Sequence, residues 1–195
     1  MACKQLRIFP ITSFGSDGYP VVGMPVKPLL LGATEQEINL KKVSYVPKTG
    51  TATLEADDRQ EEKTVTTGFT LSVELYGYSP DFLESIGLAS KDKNGNLIFL
   101  SGENSKHVCI FAKGQNQKGA AFELWFYDCV AKPLSEAIQT QLKSEVADAI
   151  VIEFSGRLIT TSDFGDIPYA KVLSGTQGYV SGEPTTTDLY KGVTA

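Results

Sequence analysis

Oxygen-bearing side chains recur at the spacing of a calcium-binding loop near the middle of the chain. They occupy the first, third, fifth and twelfth positions of such a loop, as Asp92, Asn94, Asn96 and Glu103. Carboxylate and amide oxygens at those positions ligate Ca²⁺. Leu97, however, stands where the loop needs a glycine for its sharp turn, and no second helix is predicted after it. The pattern therefore favours a hairpin turn over a metal site.

Catalysis within one subunit would depend on a single histidine. His107 is the only histidine, so a nucleophile–base pair or a histidine-based metal site would rest on it entirely. Its place at the start of an apolar run favours an ordinary residue at the end of a strand. A charged stretch offers carboxylates for an acid–base pair or a metal site, namely Asp57, Asp58, Glu61 and Glu62. A solvated charge run is the simpler interpretation.

Two further patterns resemble binding motifs. Asp163-Phe164-Gly165 matches the magnesium-binding tripeptide of kinases, but the chain has no glycine-rich phosphate loop to accompany it. Trp125, between two other aromatic residues, could stack against bases or sugars, although alternating aromatic residues more often divide between a core and a subunit contact. We therefore expect no enzymatic activity and no cofactor.

Composition limits the classes of protein to which the chain can belong. The chain has 195 residues with 18 Lys and Arg against 23 Asp and Glu, which gives a formal charge of −5. One domain is the default at this length, and the acidic balance disfavours tight binding to nucleic acid. No apolar run approaches the roughly 20 residues that cross a bilayer. Three cysteines, Cys3, Cys109 and Cys129, lack paired spacing and suit a reducing compartment, with the last two as small buried hydrophobes or, if their strands pair, a disulfide.

The elements that must position these residues are mostly strands. Apolar residues alternate along four segments, which predicts strands that together bury a β core. Their same-face residues are Phe69, Leu71, Val73 and Leu75 in the first, Val108, Ile110 and Ala112 in the second, Phe122, Leu124 and Phe126 in the third, and Val146, Ile150, Ile152 and Phe154 in the fourth. A shorter strand is predicted over residues 4–9. The proline and glycine at positions 47 and 50 predict a turn between further strands.

One short helix and two irregular regions complete the prediction. Ser79 suits the N-cap, Pro80 the first helical position and Gly87 the helix end, so a helix of about two turns is expected between them. Glycine and proline in residues 10–28 predict an extended loop, and residues 57–63 a charged connection. Residues 1–159 would then form the domain, and residues 160–195 a loose C-terminal extension or arm that orders on contact.

In their order along the chain, these patterns resemble the major tail tube proteins of long-tailed bacteriophages and prophages. The resemblance covers residues 4–159 and consists of an opening strand, a strand ending in paired acidic residues, a long strand followed by a short helix, a strand before a polar turn, an aromatic strand and a linker. These are residues 5–9, 54–58, 68–75 with 82–88, 106–111 with 113–119, 122–130, and Pro133 with Thr140 and Gln141.

The resemblance implies a mainly β fold of the tail-tube type, a sandwich or near-barrel with one flanking helix. It also implies a virion protein whose hexameric rings stack into a tube that conducts DNA during ejection. Its partners would be further copies of itself, the tape measure protein, and tail terminator or tail-tip proteins, in the virion tail and, during assembly, in the host cytoplasm. DNA would pass through without specific binding, and no membrane contact is expected.

An acidic lumen would repel the phosphate backbone of passing DNA. On that ground a set of acidic residues in or beside the core strands is predicted to face the lumen: Glu55, Asp57, Asp58, Glu61, Glu62, Glu74 and Glu123. Trp125 and Tyr127 are predicted to contact a neighbouring subunit. Two alternatives remain open, namely the inner tube of a contractile injection system and a carbohydrate-binding or adhesive β-sandwich that would expose Trp125 in a groove.

Overall fold

The computed structural model describes residues 2–26, 40–56, 59–75, 79–100, 106–134 and 150–192. These residues are mainly β, as expected, with one short helix, α1, at Pro80–Ser85. The strands, in chain order, are β1 Ala2–Phe14, β2 Pro20–Val22, β3 Leu40–Ala56, β4 Arg59–Leu75, β5 Ala89–Lys91, β6 Leu97–Phe99, β7 His107–Gln115, β8 Ala121–Ala131, β9 Ile150–Arg157, β10 Ile159–Thr161, β11 Gly165–Ile167 and β12 Tyr169–Leu173.

An eight-stranded antiparallel sheet organises the molecule. Its strands follow the order β2-β1-β7-β8-β9-β4-β3, and β12 pairs with β8 outside this path. The first half of β8 pairs with β12 and its last residues, from Asp128, pair with β9, so these two strands share one edge of β8. β10 with β11 and β5 with β6 form two small hairpins. The sheet curls far enough for β1 to approach β3.

The inner face of the sheet carries the first core, as the alternation predicted. Its strands contribute Leu6, Ile8, Phe69, Leu71, Val73, Leu75, Val108, Ile110, Phe126, Ile152 and Phe154, all at most 1% exposed. Helix α1 adds Phe82 and Leu83 to the same core. Burial of each such large side chain contributes about 1.5–3 kcal/mol, so this core is the main source of stability.

Helix α1 has the ends that its sequence predicts. The Ser79 hydroxyl accepts a hydrogen bond of 3.1 Å from the Phe82 N–H, which satisfies one of the free donors of the first turn. Pro80 follows at the first helical position, and Gly87 adopts φ of 77° just beyond the end. The helix therefore stays short and packs its apolar side on the sheet.

The suspected calcium loop is a hairpin turn between β5 and β6. One Asp92 carboxylate oxygen accepts hydrogen bonds of 2.8 Å from the N–H groups of Asn94 and Asn96, and Gly95 has φ of 85°. The Asp92 oxygens are thus occupied in closing the turn. Asn116 and Gly119 build the same turn between β7 and β8.

A bulge in β8 changes which residues face the inner core. Val108 of β7 pairs with Cys129, whereas Ile110 pairs with Phe126, so β8 holds one extra residue between them. Before the bulge, even-numbered residues such as Phe122 and Leu124 join the first core, and after it Cys129 does. Cys109 and Cys129 are both buried free thiols, and burial raises the pKa of each.

The outer face of β1, β7 and β8 supports a second core. It gathers Phe9, Tyr19, Cys109, Phe111, Trp125 and Tyr127 from this half of the molecule and Ile159, Val172 and Leu189 from the C-terminal region. Residues 174–192, which we call the strap, run across this face without regular secondary structure. The C-terminal region, expected as a loose extension, is instead an integral layer, with β12 inside the main sheet.

Three local expectations differ from the structure. Of the extended loop expected over residues 10–28, residues 10–22 instead form a hairpin, because β1 continues to Phe14 and pairs with β2, and residues 27–28 lie outside the described residues. Residues 47–50 are not a turn, because β3 continues through them with an irregularity after Lys48. The charged connection is mostly strand, because β4 begins at Arg59. The predicted Val146 lies outside the described residues.

Candidate functional site

A two-stranded arm extends from the sheet. Strands β3 and β4 pair with each other from Leu40 and Leu75 to Ala56 and Arg59, but β9 covers β4 only from Phe69 onward. Residues 49–56 and 59–66, which we call the arm, therefore pair only with each other among the described residues. At about 3.3 Å per residue, its eight residue pairs reach about 26 Å.

Where its side chains are described, the arm is mostly polar and exposed to solvent on both faces, with Val65 partly exposed. Thr51, Glu62, Lys63, Thr64 and Thr66 are exposed, and adjacent residues along β4 are exposed alike. Threonine favours extended backbone, so the ribbon suits its sequence although it buries little apolar surface. An isolated two-stranded ribbon is marginally stable in water. The arm therefore gains stability from any surface that covers it.

A second accessible surface is the outer face of β3, β4 and β9, which the strap does not cover. We call it the open face. In register across the strands it presents Lys42, Glu74 and Val151 in one row and Val46, Thr70 and Ser155 in another. Lys42 and Glu74 form an ion pair at 3.5 Å, and Lys132 pairs with Glu153 at 2.7 Å. The open face is thus a mixed polar surface, with exposed Val46 and Val151 between charges.

Strand β3 forms one edge of the sheet in the described part of the chain. Pro47 lies within it, and a proline is tolerated in an edge strand because its nitrogen has no hydrogen to donate. Edge strands present unpaired N–H and C=O groups that can pair with another chain. Pro47 limits such pairing locally without ending the strand.

The predicted acidic residues are not brought together. Glu62 is exposed on the arm, and Glu74 is partly exposed on the open face. The backbones of Glu55 and Glu61 lie in the arm, where Glu55 pairs with Gln60 and Leu54 with Glu61. Asp57 and Asp58 lie outside the described residues.

Glu123 does not face a lumen in this structure, so that prediction is wrong for it. Its side chain is fully buried on the outer face of β8, beneath the strap. The Glu123 Oε1 atom accepts a hydrogen bond of 3.0 Å from the Val180 N–H, and the Lys113 ammonium lies 3.6 Å from the same oxygen. Burial raises the pKa of Glu123, and the Val180 N–H and the Lys113 charge offset this only in part.

Trp125 and Tyr127 are also beneath the strap, so neither can contact another subunit directly in this conformation. Both are 0% exposed. Trp125 packs against Phe9 and Phe111, with ring centroids 5.8 Å and 4.7 Å away. The Tyr127 hydroxyl donates to the Tyr190 carbonyl at 2.7 Å. The alternative of a carbohydrate-binding sandwich required Trp125 in an exposed groove, and the structure contradicts that requirement.

Sequence reasoning missed the partners that hold the strap. Arg7, only 2% exposed, donates to a Glu183 oxygen at 2.9 Å, and Lys191 pairs with Asp17 at 2.8 Å. Lys113 donates to the Val180 carbonyl and lies 4.7 Å above the Tyr179 ring. The sequence offered one indication of these contacts. Each of three apolar strands contains a charged residue on the face that alternation assigned to solvent, namely Arg7, Lys113 and Glu123.

His107 has one carboxylate partner. Its Nδ1 atom lies 2.6 Å from Asp128 Oδ1 at the bulge of β8, with the ring partly exposed and the carboxylate nearly buried. Among the described residues, no group of three or more His, Cys, Asp and Glu side chains is placed to hold a metal ion. The same residues include no helix long and apolar enough to span a membrane.

No protein-family model matches the chain, and no curated protein is significantly similar to it in sequence.

Proposed function

We propose that this protein is the structural subunit of a phage tail tube, and that it acts by assembling with copies of itself into stacked hexameric rings. The observation that carries the proposal is the arm. It extends about 26 Å beyond the pairing with β9, at about 3.3 Å per residue, and both its described faces are polar and exposed. A projecting ribbon of this length buries little surface within its own subunit, and it is well suited to pack on a neighbouring subunit.

The sheet supports the same proposal through its free edge. The β3 edge lies beside the arm, so a neighbouring copy that covers the arm also comes close to unpaired strand groups. A ring of identical contacts closes on itself and leaves no edge free for uncontrolled aggregation. We expect the ring contact to use β3 and the contact between rings to use the arm.

The open face is the best candidate for a surface that lines the channel. It is polar and carries Glu74 and Glu153, each beside a lysine. The whole chain has a net charge of −5, so a tube of many copies would be acidic and would repel a DNA backbone. In the tail, a tape measure protein would occupy this channel before DNA does, and terminator or tip proteins would close its ends.

Electron microscopy of concentrated purified protein tests the proposal. We expect hollow tubes of uniform width, and end views with sixfold symmetry. A variant in which residues 50–65 are replaced by a two-residue Asn-Gly turn should form rings or monomers but no tubes. The variant Lys93→Gln, which changes an exposed lysine on the turn between β5 and β6 and keeps the arm, is the control and should still form tubes.

Other results of the same experiments would contradict the proposal. Solid filaments without a lumen would show a different kind of assembly. A stable dimer that is unaffected by removal of the arm would exclude the arm as the contact between rings. Analytical ultracentrifugation of the same samples separates these states before imaging.

A further inference from the structure

We infer that Glu123 and Lys113 form a clasp that controls whether the strap lies on the sheet, and that the strap lifts as a unit, uncovering Trp125, while the sheet stays folded. This inference does not depend on the proposed function. It concerns a conformational change within one subunit.

The clasp holds both polar groups of one strap residue. Glu123 accepts from the Val180 N–H at 3.0 Å, and Lys113 donates to the Val180 carbonyl. Glu123 and Lys113 lie directly opposite each other in the pairing of β8 with β7. Because one residue of the strap is bound at both its donor and its acceptor by one ion pair, a change in that pair acts directly on the strap.

The strap has the features of a segment that can open alone. It has no regular secondary structure, and Gly175 and Gly178 have φ of 86° and 88° in the exposed stretch that follows β12. Among the described residues of the strap, Pro184 and Leu189 are the buried ones. Its polar anchors include the clasp, the Arg7–Glu183 pair, the Tyr127–Tyr190 hydrogen bond and the Lys191–Asp17 pair. Segments with few buried contacts open at a lower free energy than the core.

The Glu123 carboxylate is in an unfavourable environment when the strap lies on the sheet. Its side chain is 0% exposed, and its Oε2 atom accepts no well-formed hydrogen bond, with the Trp125 indole N–H contributing only a weak favourable interaction. A buried carboxylate with one unsatisfied oxygen is costly unless it is neutral or well paired. Lys113 from β7 faces it and also lies over the Tyr179 ring of the strap, while β12 places Val172 opposite.

The sign of the pH dependence follows from burial. Burial raises the pKa of Glu123 in the closed state above its ordinary value of 4.5, which it regains when the strap lifts and water reaches it. Closing therefore binds a proton between the two values. The contribution of Glu123 to strap closure is therefore fully present below pH 4.5 and is lost as the pH rises through the raised pKa. The Asp17 anchor stays ionised over this range, because Lys191 lowers its pKa below 3.8.

Hydrogen exchange of the full-length protein, read as protection factors at each pH, tests the clasp. Lys113→Met leaves the buried Glu123 carboxylate without its counter-charge, so protection of the Val180 amide at neutral pH should fall about tenfold. Mild acidification or the added change Glu123→Gln should restore it. Glu123→Gln alone keeps an acceptor for the Val180 N–H and should make protection independent of pH.

Two further measurements show whether the strap moves while the rest of the molecule stays folded. The fluorescence of Trp125, the only tryptophan, should shift with strap protection, while core amides of β4 and β7 keep theirs. The exposed pair Lys132 and Glu153 supplies the control, and Lys132→Met with Glu153→Gln should leave the strap unchanged. Equal strap protection in Lys113→Met and wild type, no rescue by Glu123→Gln, or parallel loss of core protection would each overturn the inference.

Discussion

Gly156 lies beneath the aromatic ring of Phe69, and this contact sets how closely β9 and β4 approach. A Cβ atom at position 156 would stand 2.1 Å from the Phe69 ring carbons. The ring is itself buried against Phe126, with centroids 5.2 Å apart, and has little room to move. The small residue is therefore required here for packing and not for its backbone freedom.

Gly156→Ala is predicted to destabilise the protein by about 1–3 kcal/mol, because the added methyl group overpacks the first core. Urea unfolding followed by circular dichroism measures the loss. Gly182→Ala is the matched control, since nothing lies within 4 Å of the added atom. A similar stability for the two variants would contradict the packing argument.

At this scale the sequence predicted which face a residue occupies better than what covers that face. Alternation correctly separated Phe126 from Trp125 and Tyr127. It could not reveal that the strap covers Trp125, because the apolar residues of the strap, such as Leu189 and Tyr179, follow no period. Only regular elements produce a periodic pattern.

Among the elements, α1 was the most predictable because its ends depend on local chemistry. Ser79→Ala removes the acceptor for the Phe82 N–H and should cost about 1 kcal/mol. Ser85→Ala in the same helix is the control, because the Ser85 hydroxyl only donates back to the Phe82 carbonyl and alanine favours helix. Thermal unfolding compares the two, and an equal loss from both would contradict the capping role.

The arm was the least predictable element. Pro47 and Gly50 normally interrupt a strand, so the sequence predicted a turn where β3 in fact continues. An edge position tolerates Pro47, but edge position is a property of the whole sheet and not of local sequence. The charges of residues 57–63 likewise suggested a loop, although residues 59–63 pair with β3.

Replacing residues 50–65 by an Asn-Gly turn should leave the folded body almost as stable as before, because neither core includes any arm residue whose side chain is described. The midpoint of thermal unfolding is the measurement. We expect a loss of less than about 1 kcal/mol, which lowers the midpoint by at most about 2–4 °C for a domain of this size. A larger loss would show that the arm supports its own subunit rather than a neighbour.

For the whole molecule, the sequence predicted the mainly β class but not its layers. The first core follows from alternation. The second core joins β1, β7 and β8 to the C-terminal region, and contacts between such distant parts of the chain leave no local pattern. The outer face of the sheet therefore has one half that the C-terminal region covers and one half, the open face, that it does not. The structure was needed to distinguish the two halves.

The electrostatic role of the tube is tested by reversing charge on its accessible acidic residues. The double variant Glu74→Lys with Glu153→Lys, both on the open face, should still assemble, while assembled particles should release DNA more slowly because the new ammonium groups attract phosphates. Glu74→Lys also places a second lysine beside Lys42. Asp163→Lys, on the turn between β10 and β11, is the control and should leave release unchanged. Unaltered release in the double variant would contradict the electrostatic role.

The pairing of β1 with β7 has a consequence for how the protein is made. Ile8 pairs with Ile110, so β1 leaves the ribosome roughly 100 residues before its β7 neighbour. At ordinary elongation rates this wait lasts roughly 5–20 s. Throughout that interval Leu6, Ile8 and Phe9 meet water or a chaperone, and Leu189, which shares the second core with Phe9, emerges later still.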